Sequence, residues 1–386
     1  MIIKQNNKCA VCSNTVESII KLPNFPLTGI FSDKFDANFH TFNQELQYCD
    51  NCKHCQLKNI IDPNILYSDQ YSFLTSNSSN SRNSTSKFIN FINKNLHNIH
   101  SILEFGCNDL YFLKQFEKEG KECIGIDPIL NKINNDSTIK VIADYVENID
   151  FSNYLLKPPC LICSQHTIEH IPDIRKTLEK LKSISNDETV FAFEFPNFDL
   201  LIQNRRFDQI FHEHVHYFSL DSFFYLLKEL SFEVIDYEFN FDKWGTIYIL
   251  FKNSKNNNFS HKTKNLNKEV ILNAYKNFKS SIENCIDILE QFKQEEKYAY
   301  GASLMLPSLN YHFNNYLTKL NCILDDDENK KNKKYINIDI DIDIEKNNVQ
   351  YDKSVILITA LEHTKNISKK LINKNTKNII VPINIY

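Results

Sequence analysis

The chain has 386 residues, 42% of them hydrophobic and 24% charged, with a net charge of −4. That length suits two or three domains with ordinary apolar cores, and the interspersed acids and bases exclude the broad basic face of a nucleic-acid binder. No stretch approaches a membrane span and the first residues lack a signal-peptide run; with eleven cysteines, an odd number, the expectation is a reducing cytoplasm and not a disulfide framework.

The first signal along the chain is Cys9-Ala-Val-Cys12 together with Cys49-Asp-Asn-Cys52. Two C-x2-C pairs predict one tetrahedral zinc held by four thiolates. Cys55 creates a C-x2-C-x2-C ambiguity, but Cys49 and Cys52 repeat the spacing of the first pair. Four protein ligands leave no open position, so the zinc is expected to be structural. Reduced structural cysteines are the alternative. Asp62-Pro63, Tyr67 and Tyr71 follow, then the polar run SNSSNSRNSTS over 76–86, which reads as a flexible linker or as a lid. Phe88 to Ile99 reads as a helix.

Ser101 to Pro128 organises the middle of the chain. Ile102 to Phe105 is a short apolar run, a buried strand. Gly106 and the polar Cys107-Asn108-Asp109 make a turn. Leu110, Leu113 and Phe116 share one helix face, and Gly120 stops that helix. Cys123 to Ile126 is a second strand, ending on Asp127. Strand, glycine turn, helix, strand and acid place a nucleotide-like ligand over the turn and the acid on its ribose. A lone glycine is not the dinucleotide fingerprint, and no P-loop lysine is present. S-adenosylmethionine carries no phosphate and suits such a turn. An ordinary strand-helix-strand unit with a structural glycine is the other reading. Another strand, from Ile139, ends at Asp144. Asp144 and Tyr145 either flank an adenine or belong to a solvated loop.

Cys160 to Ser164 is a buried strand followed by Gln165-His166-Thr167-Ile168-Glu169-His170. An acid and two imidazoles at a strand end are costly to bury without a purpose. Pro172 argues against a zinc-protease helix through His170. An amphipathic helix over 173–185 and a strand over 189–195 come next. The densest polar cluster runs from Asp208 to Ser219 and contains His212, Glu213, His214 and His216, groups for acid–base work or metal binding. On an extended stretch the three histidines would share one face and Glu213 the other. Ser219 caps a helix over 222–230, and 232–249 reads as a closing antiparallel pair around Trp244-Gly245. After a polar linker and a long helix from Glu269, a second α/β unit follows. Its strand 298–300 leads into Gly301-Ala302-Ser303, and its strand 322–324 ends on Asp325. This unit either binds a second nucleotide-like ligand or only packs. The alternation INIDIDIDI over 336–344 is low complexity and carries no expectation of function.

Taken together, the four-cysteine module, EFGCND, GIDP, EHIPD, EFP, FDQIFHEHVHYFSL and YGAS resemble the three-domain S-adenosylmethionine-dependent C-methyltransferases of deoxysugar biosynthesis and their polysaccharide-cluster relatives. The resemblance covers essentially the whole chain. It implies an α/β fold class: a class I methyltransferase Rossmann-like domain over 76–255, a zinc-binding module over 1–75 and a C-terminal Rossmann-like domain over 256–386. The implied partner is a nucleotide-linked keto sugar; the implied assembly is a monomer or homodimer. Glu104, Gly106, Asn108, Asp109 and Asp127 fall on the cofactor positions. His214 falls on the family's second histidine, the expected base, with Glu213 or His170 holding the sugar or its enolate. This chain has Leu110 where the family has glycine, Phe211 where it has tyrosine and Met305 where it has lysine. An O- or N-methyltransferase, or a scaffold that kept the fold, are the alternatives those departures leave.

Overall fold

The computed structural model describes residues 2–66, 74–132, 137–151, 154, 156–241, 245–254, 266–344 and 349–383. Tyr67, Tyr71 and Trp244 lie outside them. The N-terminal part forms a meander: β1 (Glu17–Pro26), β2 (Thr41–Tyr48) and β3 (Cys55–Leu57), paired antiparallel. Helix α1 (Ser79–Asn95) then leads into the central strand β4 (Ser101–Phe105).

The polar run 76–86 is a correction to the linker and lid readings. Most of it is the first half of α1, capped by the Ser78 side chain accepting from Ser81 N. Its polar side chains face the sheet: Ser84 donates to Glu194 at 2.8 Å and Thr85 to Gln165 at 3.3 Å. Buried partners turned a composition typical of linkers into a helix face.

From β4 the chain alternates. It runs through α2 (Leu113–Glu117), β5 (Glu122–Ile126), β6 (Lys140–Ile142), β7 (Cys160–Gln165), α3 (Ile174–Ser183) and β8 (Thr189–Pro196). After β9 (His216–Tyr217) come α4 (Leu220–Glu229), β10 (Phe232–Asn240) and β11 (Thr246–Asn253). One seven-stranded sheet results, in the order β10-β11-β8-β7-β4-β5-β6. β6, β5, β4, β7 and β8 are parallel, and the β10–β11 pair closes the edge antiparallel. This is the class I methyltransferase sheet, and its ligand crevice lies at the carboxyl ends of β4 and β7, where the strand order reverses.

Strand β9 does not join that sheet. It adds to the N-terminal meander, with His216 opposite Gln56 and Tyr217 opposite Cys55. The segment carrying the histidine cluster is thereby tied to the zinc module. A last unit follows the long helix α5 (Lys268–Gln291): β12 (Lys297–Tyr300), α6 (Leu306–His312), β13 (Ile323–Asp325), β14 (Ile342–Ile344), β15 (Val355–Ile358), α7 (Thr364–Asn373) and β16 (Asn378–Ile380). Its five strands are all parallel, in the order β14-β13-β12-β15-β16. The stretch INIDIDIDI has a packing role: Ile338, Ile340 and Ile342 are buried, while Lys334 bridges Asp339 and Asp341 on the outside. Apolar side chains of β1, α5 and this unit share one core, and Cys9, Val11, Cys49 and Cys52 share another with β7, β8 and α4. Among the described residues no helix is long and apolar enough to cross a membrane.

Candidate functional site

The four predicted thiols meet. The ligand atoms of Cys9, Cys12, Cys49 and Cys52 lie within 4.8 Å of one another, with Cys9–Cys52 and Cys12–Cys49 sulfurs each 3.4 Å apart. Each pair sits in a turn whose last residue, Ser13 or Lys53, has φ near +61°. Cys55 lies outside this quartet, buried in β3 against the neighbouring core. Hydrogen bonds from Cys52 and Cys9 hold the Cys49 thiol far below its usual range. Soft, clustered sulfur is the donor set zinc takes, and with four protein ligands it would only hold the fold.

The Gly106 turn joins β4 to α2, with φ +70° and its N–H bonded to Ile126 O at 2.8 Å. A Cβ here would stand 1.9 Å from Thr167 Oγ1, so only glycine lets the ends of β4 and β7 approach. Asp127 accepts from Asn108 N at 2.9 Å and from Ile129 N at 3.0 Å, which fixes its carboxylate beside the turn. Asn108 and Asp109 each use one side-chain oxygen to accept the backbone N–H of Thr75 and Ser76, both at 2.9 Å. They therefore anchor the segment entering α1. Leu110 has φ +65°, in the left-handed region that favours glycine, and its side chain is fully buried. Its Cδ2 would be 2.8 Å from a Cβ on Gly125, so its bulk points into the core, away from the crevice. Asp144 accepts from Tyr145 N and from Asn148 Nδ2, and Tyr145 stays 37% exposed just beyond β6.

The residues present fit a cationic cofactor. Glu104 is buried with Oε2 lacking a hydrogen-bond partner, and so is Asp109 Oδ1. Burial, with Asp127 and Asp109 nearby, pushes the Glu104 carboxyl well above the usual range. Three crowded acids are what the ammonium group and sulfonium of S-adenosylmethionine would relieve.

The histidine cluster departs from the single-face expectation. His212 and Glu213 form a turn, with His214 N bonded to Phe211 O, so the side chains diverge. His212 contacts Phe25 O at 3.1 Å and Gln44 Nε2 at 3.2 Å, inside the meander. His216 contacts Ile171 O at 2.9 Å and His54 at 3.1 Å. Burial lowers both to about 4, so both are neutral at pH 7 and serve packing. Glu213 accepts from Thr28 Oγ1 at 3.0 Å, and burial pushes it up to about 7.

His214 turns the other way, toward the end of β7. Its ring is 4.7 Å from that of His170, edge to face, and Phe211 lies on it at 4.1 Å. Burial and the neighbouring His170 and His166 hold it well below its usual range. His170 Nδ1 contacts Glu213 O at 2.8 Å, joining the two segments. His166 and Glu169, the strand-end imidazole and acid of the sequence, lie here too, and Glu194 joins them without having been expected. His166, at φ +50°, sits between Glu169 (3.6 Å) and Glu194 (3.5 Å). Glu194 also accepts from Ser84, Gln165 and Thr246. Acids closing the buried strands in SQHTIEH and EFP were the available signal.

Fold and crevice together define a class I methyltransferase domain, of the kind that uses S-adenosylmethionine, joined to a four-cysteine zinc module. Residues 75–237 match the family model of a methyltransferase domain and residues 9–67 that of a zinc binding domain. The C-methyltransferase NovU of Streptomyces niveus is 27% identical over 247 residues, covering 61% of this chain and 58% of NovU. Among solved structures, the PH0226 protein of Pyrococcus horikoshii OT3 matches with 12% identity and a TM-score of 0.39, over 49% of this chain and 98% of its own. An S-adenosylmethionine-dependent methyltransferase from Clostridium acetobutylicum matches with 12% identity and a TM-score of 0.37, over 46% and 94%.

Proposed function

We propose that the chain is an S-adenosylmethionine-dependent C-methyltransferase acting on a nucleotide-linked keto sugar, in surface-polysaccharide or deoxysugar biosynthesis in the cytoplasm. The observation that carries this reading is the convergence of His214, His170, His166 and Glu169 at the end of β7, beside the Gly106 turn. Similarity to a C-methyltransferase supports carbon as the acceptor over oxygen or nitrogen.

S-adenosylmethionine supplies a methyl group already activated by its sulfonium. The protein's work is then positioning and proton removal. His214, kept neutral by burial, takes the proton from the carbon beside the ketone. The C–H electron pair becomes the enolate; a bound S-adenosylmethionine would supply the methyl group to that carbon as its methyl–sulfur bond breaks and S-adenosylhomocysteine leaves. Glu213, which burial leaves partly protonated near pH 7, donates a hydrogen bond to the sugar or its enolate oxygen. His170 holds the backbone of Glu213 in place.

The test is incubation with labelled S-adenosylmethionine and a panel of nucleotide sugars, read by mass spectrometry, for wild type and His214→Asn. The variant should bind the cofactor as wild type does and turn over roughly 100- to 10,000-fold more slowly. It should also lose exchange of solvent deuterium into the sugar beside its ketone. Normal methyl transfer by His214→Asn overturns the base assignment. Transfer to oxygen or nitrogen, or no cofactor binding at all, overturns the reaction class.

A further inference from the structure

Glu169 sits in the one-turn 3-10 helix Ile168–His170 directly after β7. Ile168 and Ile171, both buried, pin that turn from either side. The Glu169 side chain is 2% exposed, and neither carboxylate oxygen has a hydrogen-bond donor within reach. A buried carboxylate without donors is costly and is normally neutralised or paired. Here the nearest groups are imidazoles just beyond hydrogen-bond range. Oε1 is 3.6 Å from His166 Nδ1 and 3.9 Å from His214 Nε2, and His170 packs against His214. Burial disfavours charge on His170 and His214, and a proton on any of the three rings would give Glu169 its missing partner.

We infer that Glu169 is a positioning residue: it is the buried counter-charge for the proton that the His166–His170–His214 cluster holds during turnover. The inference rests on the proposed role of His214 as base. When His214 takes the substrate proton, a cation forms on a buried side chain. A carboxylate already in place lowers the cost of that charge without any rearrangement. In the opposite direction, His166 and His170 repel a charge on His214, and burial disfavours it. At His170 the charge of Glu169 acts against burial. Among the described residues, charged groups facing the cluster include Glu169 from its own turn, Glu194 from β8 through His166, and Glu213 from the 211–218 segment, its carboxyl turned to Thr28.

The experiment follows imidazole protonation by NMR of protein labelled with nitrogen-15 in its histidines, without cofactor or acceptor. His166→Asn, His170→Asn and His214→Asn identify the three signals. Glu169→Gln keeps the shape and removes the charge. It should lower the titration midpoint of at least one of the three by about one pH unit, a tenfold loss of proton affinity. Glu169→Asp, which keeps the charge, should move it much less. Unchanged midpoints in Glu169→Gln overturn the inference. So does a second tightly bound divalent ion that this variant loses, which would make Glu169, His170 and His214 a metal site. Should Glu169→Gln fail to fold, the wild type still decides: three histidines that stay neutral down to acid unfolding overturn it. Because no methyl transfer is measured, failure here is separable from failure of the base assignment.

Discussion

Gly106 and Gly301 hold the same place in two α/β units. Each follows a parallel strand, each has positive φ, and each N–H bonds to the residue before an acid, Ile126 O or Leu324 O. Each acid accepts a backbone N–H from the turn: Asp127 from Asn108, Asp325 from Ala302. The surroundings then diverge. At the second turn Thr359, Lys330 and Tyr335 donate to the carbonyls of Gly301, Ala302 and Ser303. Lys330 also pairs with Asp325, and Ala360 closes over the glycine. At the first turn Glu104 and Asp109 keep buried oxygens without partners, and the adjoining strand end carries His166 and Glu169. One turn satisfies itself; the other leaves buried carboxyl oxygens for a ligand to complete. A glycine turn with an acid marks a backbone geometry, and the neighbours decide whether it binds anything.

The strongest way to break this contrast is to fill each glycine. Gly106→Val should lower S-adenosylmethionine affinity by more than about 100-fold, because Thr167 already occupies the space and the φ is unfavourable. Gly301→Val meets Ala360 instead and should cost about 3 kcal/mol or more of stability. Its folded fraction should still bind the cofactor normally. Calorimetry and thermal melts on both variants check the pair. Equal loss of affinity in the two would end the distinction.

A second comparison removes the acids. Asp127→Ala should cost about 1.5–3 kcal/mol of cofactor affinity, the size of a charge-assisted hydrogen bond to the ribose. Asp325→Ala should leave affinity alone and lower stability by about 1–2 kcal/mol through the lost contacts to Ala302 N and Asp327 N. Wild-type affinity in Asp127→Ala would place the ribose elsewhere.

The first turn should also couple ligand binding to protons. Burial and the neighbouring Asp127 and Asp109 hold the Glu104 carboxyl well above its usual range in the free protein, so it keeps its proton to higher pH than an ordinary carboxyl. A cationic ligand favours the carboxylate, so binding releases a proton and affinity rises with pH, at most tenfold per unit below the free pKa. In stability the same group acts the other way. Its contribution is full below the unfolded carboxyl value and is lost as pH rises toward the raised folded one. Titrations in buffers of different ionisation enthalpy measure the proton release, and Glu104→Gln should abolish it.

The last comparison concerns Leu110, where cofactor affinity should not change. Replacement by glycine relieves a left-handed leucine, worth about 1–2 kcal/mol, but empties a packed site worth about 2–5 kcal/mol. A net loss of roughly 1–3 kcal/mol with unchanged cofactor affinity is expected, read from melts and calorimetry. A large change in affinity would mean the side chain reaches the crevice.

Local chemistry made much of this legible in the sequence. Paired cysteines at equal spacing, apolar runs broken by glycine and acid, and helical periodicities are short-range signals, so the thiol quartet, the strands of the first α/β unit, those leading to Gly301 and Asp325 in the second, and the Gly106 turn could be read directly; β14, hidden in the Ile-Asp alternation, could not. Three things depended on contacts between distant segments. The serines and threonine of 76–86 became a helix because Glu194 and Gln165 receive them. His212, His214 and His216, adjacent in the chain, separated because β9 pairs with Gln56 and Cys55 of the zinc module while His214 turns to β7. Glu169 and His166 entered the site because the parallel sheet brings the end of β7 beside those of β4 and β8. Composition and spacing set which groups the chain carries and which local turns it makes. Which of them end up unpartnered and facing a ligand is set by burial, a property of the assembled sheets.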